Sequence, residues 1–289
     1  MAKAKFILYP ILLLSLLGLI SFISPVIASP DVVKWSAVNI PTEGRASHWV
    51  LADGSDVQHL TMAADGTLYC YARVKIDSTD TDVLFKSTDG GFTWSETDYS
   101  GGAIVDIACP SPDADTLYVT DGNYIYKSVD AGKTFARVAG GSLEKALMGA
   151  CGITVAGEPI TCINVGYDSS DDPVLFIGVT FTAAGPPSIL FIEEEEFPAN
   201  WADLDLSCYN GGGYVPYSIA CTPDFTTSKE VMAVVTKATE THVISTVGVK
   251  CSWAEVAELK KDNTDSFEIN AASRISFPDD YADTKTLFI

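Results

Sequence analysis

Asp89 and Asp130 are the first carboxylates to consider for chemistry, because each stands third in the same eight-residue phrase. The phrases are Ser87-Thr-Asp89-Gly-Gly91-Phe-Thr93-Trp94 and Ser128-Val-Asp130-Ala-Gly132-Lys-Thr134-Phe135. A carboxylate set among Ser, Gly and Thr can serve a reacting centre, or it can accept hydrogen bonds from the amides of its own turn. The turn reading is the stronger one, since Gly takes the positive φ of a tight turn and Asp and Ser side chains bond nearby backbone. Ser87, Asp89, Gly91, Thr93, Trp94, Ser128, Asp130, Gly132, Thr134 and Phe135 are therefore assigned to structure, and no catalytic residue is assigned.

The remaining chemistry-bearing residues point nowhere in particular. Asp77, Asp80 and Asp82 offer oxygen atoms at the close spacing calcium uses, as do Asp168 to Asp172 and Asp279 to Asp283. None follows the twelve-residue loop with its central Gly and terminal Glu, and a hydrated loop explains each more simply. A glycoside hydrolase needs two carboxylates across a groove, but 38 acidic residues make pairs plentiful and single none out. Trp49, Tyr209, Tyr214 and Tyr217, which could stack on sugars, serve equally well as core. His48, His59 and His242 are scattered and no Cys-x-x-Cys occurs, which argues against zinc. Gly211-Gly-Gly213 lacks the Lys-Ser/Thr ending of a phosphate loop and reads as a connection. No cofactor is expected.

All seven cysteines follow residue 28. Cys151 with Cys162, and Cys208 with Cys221, close short loops that a disulfide could staple, although spacing fixes no connectivity. Cys70 and Cys109 lie inside apolar runs, where a buried thiol acts as a small hydrophobe.

Both phrases sit between strand-like runs, Val83-Leu-Phe-Lys86 before the first and Tyr124-Ile-Tyr-Lys127 before the second. The Thr and aromatic that close each phrase begin a returning strand. The two copies start 41 residues apart, 87 to 128, and a strand-rich period near 40 is that of a propeller or array. The pattern Ser-x-Asp-x-Gly-x-Thr-Trp/Phe resembles the Asp-box, or BNR repeat, of sialidases, sortilin-type receptors, xyloglucan hydrolases and photosystem II assembly factors. The resemblance implies an all-β fold, a β-propeller of four-stranded antiparallel blades with the box as the hairpin between the third and fourth strands.

A second phrase, apolar strand then turn then apolar strand, marks where blades begin. It starts at Val57, Ile104, Ile160, Tyr217 and Ala272, giving five starts. Where third and fourth hairpins should fall, the turn residues drift but a terminal tryptophan remains, Trp201 and Trp253. Lys34-Trp-Ser-Ala-Val38 resembles the strand after a box and could supply the outer strand of a last blade. The sequence stops after the second strand phrase of the fifth unit, so about four and a half blades are expected in residues 29–289, a propeller truncated at its C-terminus.

Residues 1–28 read as an export signal, with Lys3 and Lys5 ahead of an apolar core and Val26-Ile-Ala28 before the cut; an uncleaved anchor is the competing reading. The rest is then secreted or held at the cell surface. A net charge of −20, which loss of the leader makes more acidic still, disfavours nucleic acid and anionic membrane. Membrane contact would come only through the N-terminal segment if it stays uncleaved. Four arginines, Arg45, Arg73, Arg137 and Arg274, are dispersed, whereas a sialidase needs an arginine cluster on the substrate carboxylate. The leading expectation is an exported non-enzymatic propeller that binds an extracellular protein or glycan. The alternative is a secreted glycoside hydrolase, xyloglucanase- or sialidase-like, with a carboxylate pair in the central groove. A third, an assembly-chaperone role, shares the same repeats.

Overall fold

The computed structural model describes residues 55–76, 79–110, 113–138, 160–180, 186–193, 201–248, 250–261, 265–271, 273–278 and 280–289. The expectations for residues 1–28, for Lys34 to Val38, for His48 and Trp49, for Asp77 and for Cys151 lie outside them.

Among the described residues, four antiparallel sheets follow one another along the chain. The first holds β1 (Asp56–Met62), β2 (Leu68–Ile76), β3 (Thr79–Ser87) and β4 (Ser95–Glu96), and the second β5 (Asp106–Ala108), β6 (Leu117–Thr120), β7 (Ile125–Ser128) and β8 (Ala136–Arg137). The third holds β9 (Ile160–Tyr167), β10 (Pro173–Val179), β11 (Ser188–Glu193) and β12 (Ala202–Asp203). The fourth, β13 (Val215–Cys221), β14 (Val231–Lys237), β15 (Glu240–Thr246) and β16 (Ala254–Lys261), gains a fifth strand, β17 (Asp265–Ser266). The described helices, α1 (Phe225–Ser228) and α2 (Tyr281–Thr284), are single turns. Among the described residues no helix is long and apolar enough to cross a membrane.

Within a blade, only the middle strands carry unbroken apolar runs. In β10 every residue from Val174 to Val179 is buried, and in β14 every residue from Val231 to Thr236. A strand buried on both faces has no solvent side to alternate toward, so such a run marks a sheet packed between two others. The two-residue outer strands β4 and β8 are exposed.

The core is correspondingly divided into seams. Tyr69, Tyr71 and Leu84 of the first blade meet Ile107, Leu117 and Val119 of the second. Tyr118 and Ile125 meet Ile163, Leu175 and Ile177 at the next seam. Phe176 and Ile189 then meet Ile219, Ala233 and Ile244. At the last, Met232 and Val234 of the fourth blade meet Ile275 and Tyr281. Each fully buried ring such as Tyr69 or Tyr118 contributes about 1.5–3 kcal/mol by leaving water. Sheets stacked face to face through successive seams are those of an incomplete β-propeller.

Two expectations need correction. The fifth start pairs with its second phrase only briefly: among the described residues the two are joined by a single antiparallel bridge, Ser276 with Phe288, around α2, in place of a full strand pair. The apolar residues there are spent on the last seam rather than on a ladder. The disulfide joins Cys208 to Cys251, with Cα atoms 5.3 Å apart, not Cys208 to Cys221. Cys221 and Cys162 are free, and burial pushes the Cys162 thiol up to about 12. Proximity along the chain misled because Cys208 follows the outer strand of the third blade, where the fourth blade's hairpin returns.

Candidate functional site

The first strands of the blades, β1, β5, β9 and β13, lie side by side in that order and form the inner wall. Side chains lock neighbour to neighbour. The Ile163 N–H of β9 donates to Asp106 Oδ2 of β5 (2.9 Å), and the Cys221 N–H of β13 donates to Asn164 Oδ1 of β9 (3.2 Å). The Ser273 N–H of the fifth unit donates to the Tyr217 carbonyl of β13 (2.8 Å). Arg274 then completes the circuit, its Nη2 donating to Asp106 Oδ1 (2.8 Å) and to the Ile107 carbonyl (2.6 Å).

Asp106 is the hub of this circuit and is only 3% exposed. A third donor, the Ile107 N–H, reaches Oδ1 at 2.8 Å. Burial pushes its carboxyl up, and Arg274 with the two backbone amides pulls it back. His59 of β1 faces the same pair: burial lowers its imidazole, Asp106 opposes that shift and Arg274 adds to it. His59 also stacks on Tyr71, with centroids 6.3 Å apart. In the sequence Arg274 and His59 read only as dispersed residues, and nothing there singles out Asp106. Its one signal was position, an acid inside the apolar phrase Ile104-Val-Asp-Ile-Ala-Cys109, where a carboxylate demands a partner.

The two repeated hairpins lie at the other edge of the blades and share one hydrogen-bond pattern. Ser87 Oγ donates to Asp89 Oδ1 and the Gly91 N–H donates to Ser87 Oγ, both at 2.8 Å. Thr93 gives its N–H to Asp89 Oδ1 (2.8 Å) and its hydroxyl to Oδ2 (2.6 Å). In the second copy the corresponding distances are 2.8, 2.9, 2.8 and 2.6 Å, through Ser128, Gly132, Thr134 and Asp130. The Thr side chain and amide hold both Asp89 and Asp130 at about 2.

Of the aromatics that close the hairpins, Phe135, Trp201 and Trp253 each pack on the seam shared with the preceding blade. Trp94 packs on the matching face of the first blade, with Cys70, Ala72, Val74 and Phe85. The fourth hairpin keeps the spacing, Thr246 to Trp253, but Gly248 stands where Asp89 and Asp130 stand, and Thr246 Oγ1 bonds Ser252 Oγ directly (2.6 Å).

Among the described calcium candidates, two carboxylates are engaged by the protein itself. Both oxygens of Asp82 accept from Arg73, Nε at 2.8 Å and Nη2 at 3.0 Å, and Asp80 lies two residues away on β3. Asp168 accepts from the Ser170 and Asp172 amides of its own turn. Asp205 lies beside Cys208 and Cys251, but the disulfide occupies both sulfurs. Tyr209 and Tyr214 are core residues, edge to face at 5.0 Å and closing over buried His242. Glu255 and Glu240 stand 3.6 and 4.0 Å from its two nitrogens.

No family model and no curated protein matches the chain. Among solved structures it is similar to the GH74 enzyme of Niastella koreensis, at 16% identity and a TM-score of 0.43, over 68% of this chain and 29% of that one. It is also similar to the extracellular domain of a putative one component system of B. thetaiotaomicron, at 11% identity and TM-score 0.43, over 81% and 31%. A third is the Hadza microbial sialidase Hz136, at 13% identity and TM-score 0.39, over 70% and 46%. The incomplete β-propeller rests on the sheets and seams described above, and the chain spans about a third of the length of the first two structures.

Proposed function

We propose that this chain is an exported, non-enzymatic propeller module whose loops about the axis bind a protein or carbohydrate partner. The observation that carries this reading is the state of Asp106. The four inner strands hold two carboxylates, Asp56 and Asp106. Asp106 already accepts from Ile107, Ile163 and Arg274. A carboxylate so engaged is poorly placed to deliver a proton or attack a sugar, so among the described residues the inner strands offer no pair of free carboxylates of the kind that glycoside hydrolysis uses. Of the aromatics that could stack on a sugar, Tyr209 and Tyr214 are buried in the core, while Tyr217 on β13 is half-buried.

Export is supported by the leader-like residues 1–28 and by the Cys208–Cys251 disulfide, a bond that persists in oxidising compartments. Cleavage after Ala28 would leave the acidic remainder free in that compartment. The test is to incubate the purified chain with xyloglucan, sialosides and an extracellular glycan and protein array. Retention of a ligand with no release of reducing ends or free sialic acid is expected. Turnover that disappears in Asp106→Asn would overturn the reading.

A further inference from the structure

Among the described ties between blades, one is covalent and open to solvent. The Cys208–Cys251 disulfide fastens the fourth hairpin to the segment that follows β12, and both cysteines are exposed. Weaker bonds converge on the same place. The Cys251 N–H (3.1 Å) and the Trp253 Nε1–H (3.2 Å) both donate to the Leu204 carbonyl, and Lys250 Nζ stands 3.6 Å from Asp205 Oδ2. Leu204 and Leu206 are buried in the seam between the third and fourth blades, which anchors the third-blade side of the contact. Cleaving the sulfur bond therefore leaves two hydrogen bonds and an ion pair to hold the hairpin near its partner. The two thiols stay neighbours and can rejoin. What the sulfur bond adds is a constraint across 43 positions of chain. It also tethers Tyr209, the residue after Cys208, whose ring packs on His242 (centroids 5.9 Å) and whose hydroxyl donates to Glu255 at 3.2 Å.

A disulfide is cleaved by a thiolate that reaches one of its sulfurs, so an exposed bond is open to exchange where a buried one is not. The four free cysteines stand apart from that exchange. Burial pushes the Cys70 thiol up to about 11 and those of Cys109 and Cys162 up to about 12, and it raises Cys221 as well, so these groups remain thiols. We propose that Cys208–Cys251 is a reversible redox switch on the seam between the third and fourth blades, closed as the disulfide and opened by a dithiol reductant. The reductant's thiolate bonds to one cysteine sulfur and expels the other as thiolate, which takes up a proton. The reductant's second thiol, losing its proton, then displaces the first cysteine. Two cysteine thiols and the reductant's own disulfide result, with two electrons passed to the protein. In the open state the fourth hairpin and the Tyr209 segment are held only by their weaker bonds and exchange with solvent more freely.

The test treats the whole chain with dithiothreitol, alkylates the freed thiols and maps the labelled peptides. Reduction is expected at a rate proportional to dithiothreitol and unchanged by urea below the unfolding transition, with Cys208 and Cys251 the labelled sites among the described cysteines. A rate that climbs with urea would mean that the bond is reached only through unfolding, and would overturn the proposal. Hydrogen exchange then reads the two states. On reduction the amides of Cys251 and Tyr209, which donate to Leu204 and Leu206, should exchange at least about tenfold faster, while those of β10 and β14 keep their protection. Removing the dithiol should restore both the bond and the protection. The double variant Cys208→Ser with Cys251→Ser should show the open pattern without reductant and ignore dithiothreitol; should it fail to fold, the reduced parent supplies the same readout. Protection unchanged at Cys251 and Tyr209, or lost throughout β10 and β14, would equally overturn the proposal.

Discussion

Removing Arg274 should uncouple the fifth unit from the second blade, and the cost can be worked from the axial geometry. Asp106 is 3% exposed and Arg274 donates to it at 2.8 Å. Truncating one partner of a buried ion pair costs about 3–5 kcal/mol because the other charge is stranded. The Arg274 side chain is 42% exposed, so water screens the pair and about 2–3 kcal/mol is expected for Arg274→Ala. Asp106→Ala strands the Ile163 and Ile107 N–H groups and frees Arg274; orphaned buried groups cost about 1–3 kcal/mol each, so about 2–6 kcal/mol is expected from the two amides. Because both changes destroy the one Arg274–Asp106 bond, the double mutant should cost less than the sum by about 1.5–3 kcal/mol, the strength of a charged hydrogen bond. Urea unfolding of the four proteins, with midpoint and slope fitted together, measures this directly. If the two costs add to within about 0.5 kcal/mol, Arg274 and Asp106 do not act through each other and the axial circuit is wrong.

Acid should act on the two repeated hairpins first. Asp89 and Asp130 are held near 2 against an ordinary 3.8, so their contribution is whole above about 4 and is lost as pH falls through about 2. Amide exchange at Thr93 and Thr134 across that window would show it, and protection unchanged down to pH 2 would contradict the assignment. Gly132→Ala should cost about 2–4 kcal/mol, from left-handed strain at φ 83 and the contact with Thr97, against about 1–2 for Gly90→Ala, which shares the strain but has open space. Equal midpoint shifts would refute the seam contact. Replacing Cys208 and Cys251 by Ser should lower stability by up to about 4 kcal/mol, the loop-closure value for a separation of 43 residues. A variant as stable as the parent in calorimetry would show that the pairing does not constrain the unfolded chain.

The local architecture was legible in the sequence because its causes are local. A turn of Ser, Asp, Gly and Thr satisfies its own amides whatever surrounds it, so Ser87 to Trp94 and Ser128 to Phe135 could be read directly as hairpins. The recurring phrase of apolar strand, turn and apolar strand, as at Ile104 and Tyr217, could be read as strands, and the spacing of its copies announced successive blades. The degenerate third and fourth hairpins stayed legible through Trp201 and Trp253, since packing at a seam needs the ring even when the turn has lost its Asp.

What required the tertiary structure were pairings between residues far apart in the chain. Asp106 and Arg274 are separated by 168 positions, and only the radial order of the blades brings the fifth unit back across the axis to the second. Cys208 finds Cys251 rather than the nearer Cys221 because the returning hairpin of one blade lies against the outer strand of the one before it. Which hairpin meets which outer strand is decided by contacts across the seam, such as the Cys251 N–H donating to the Leu204 carbonyl (3.1 Å), and no local pattern of residues carries them.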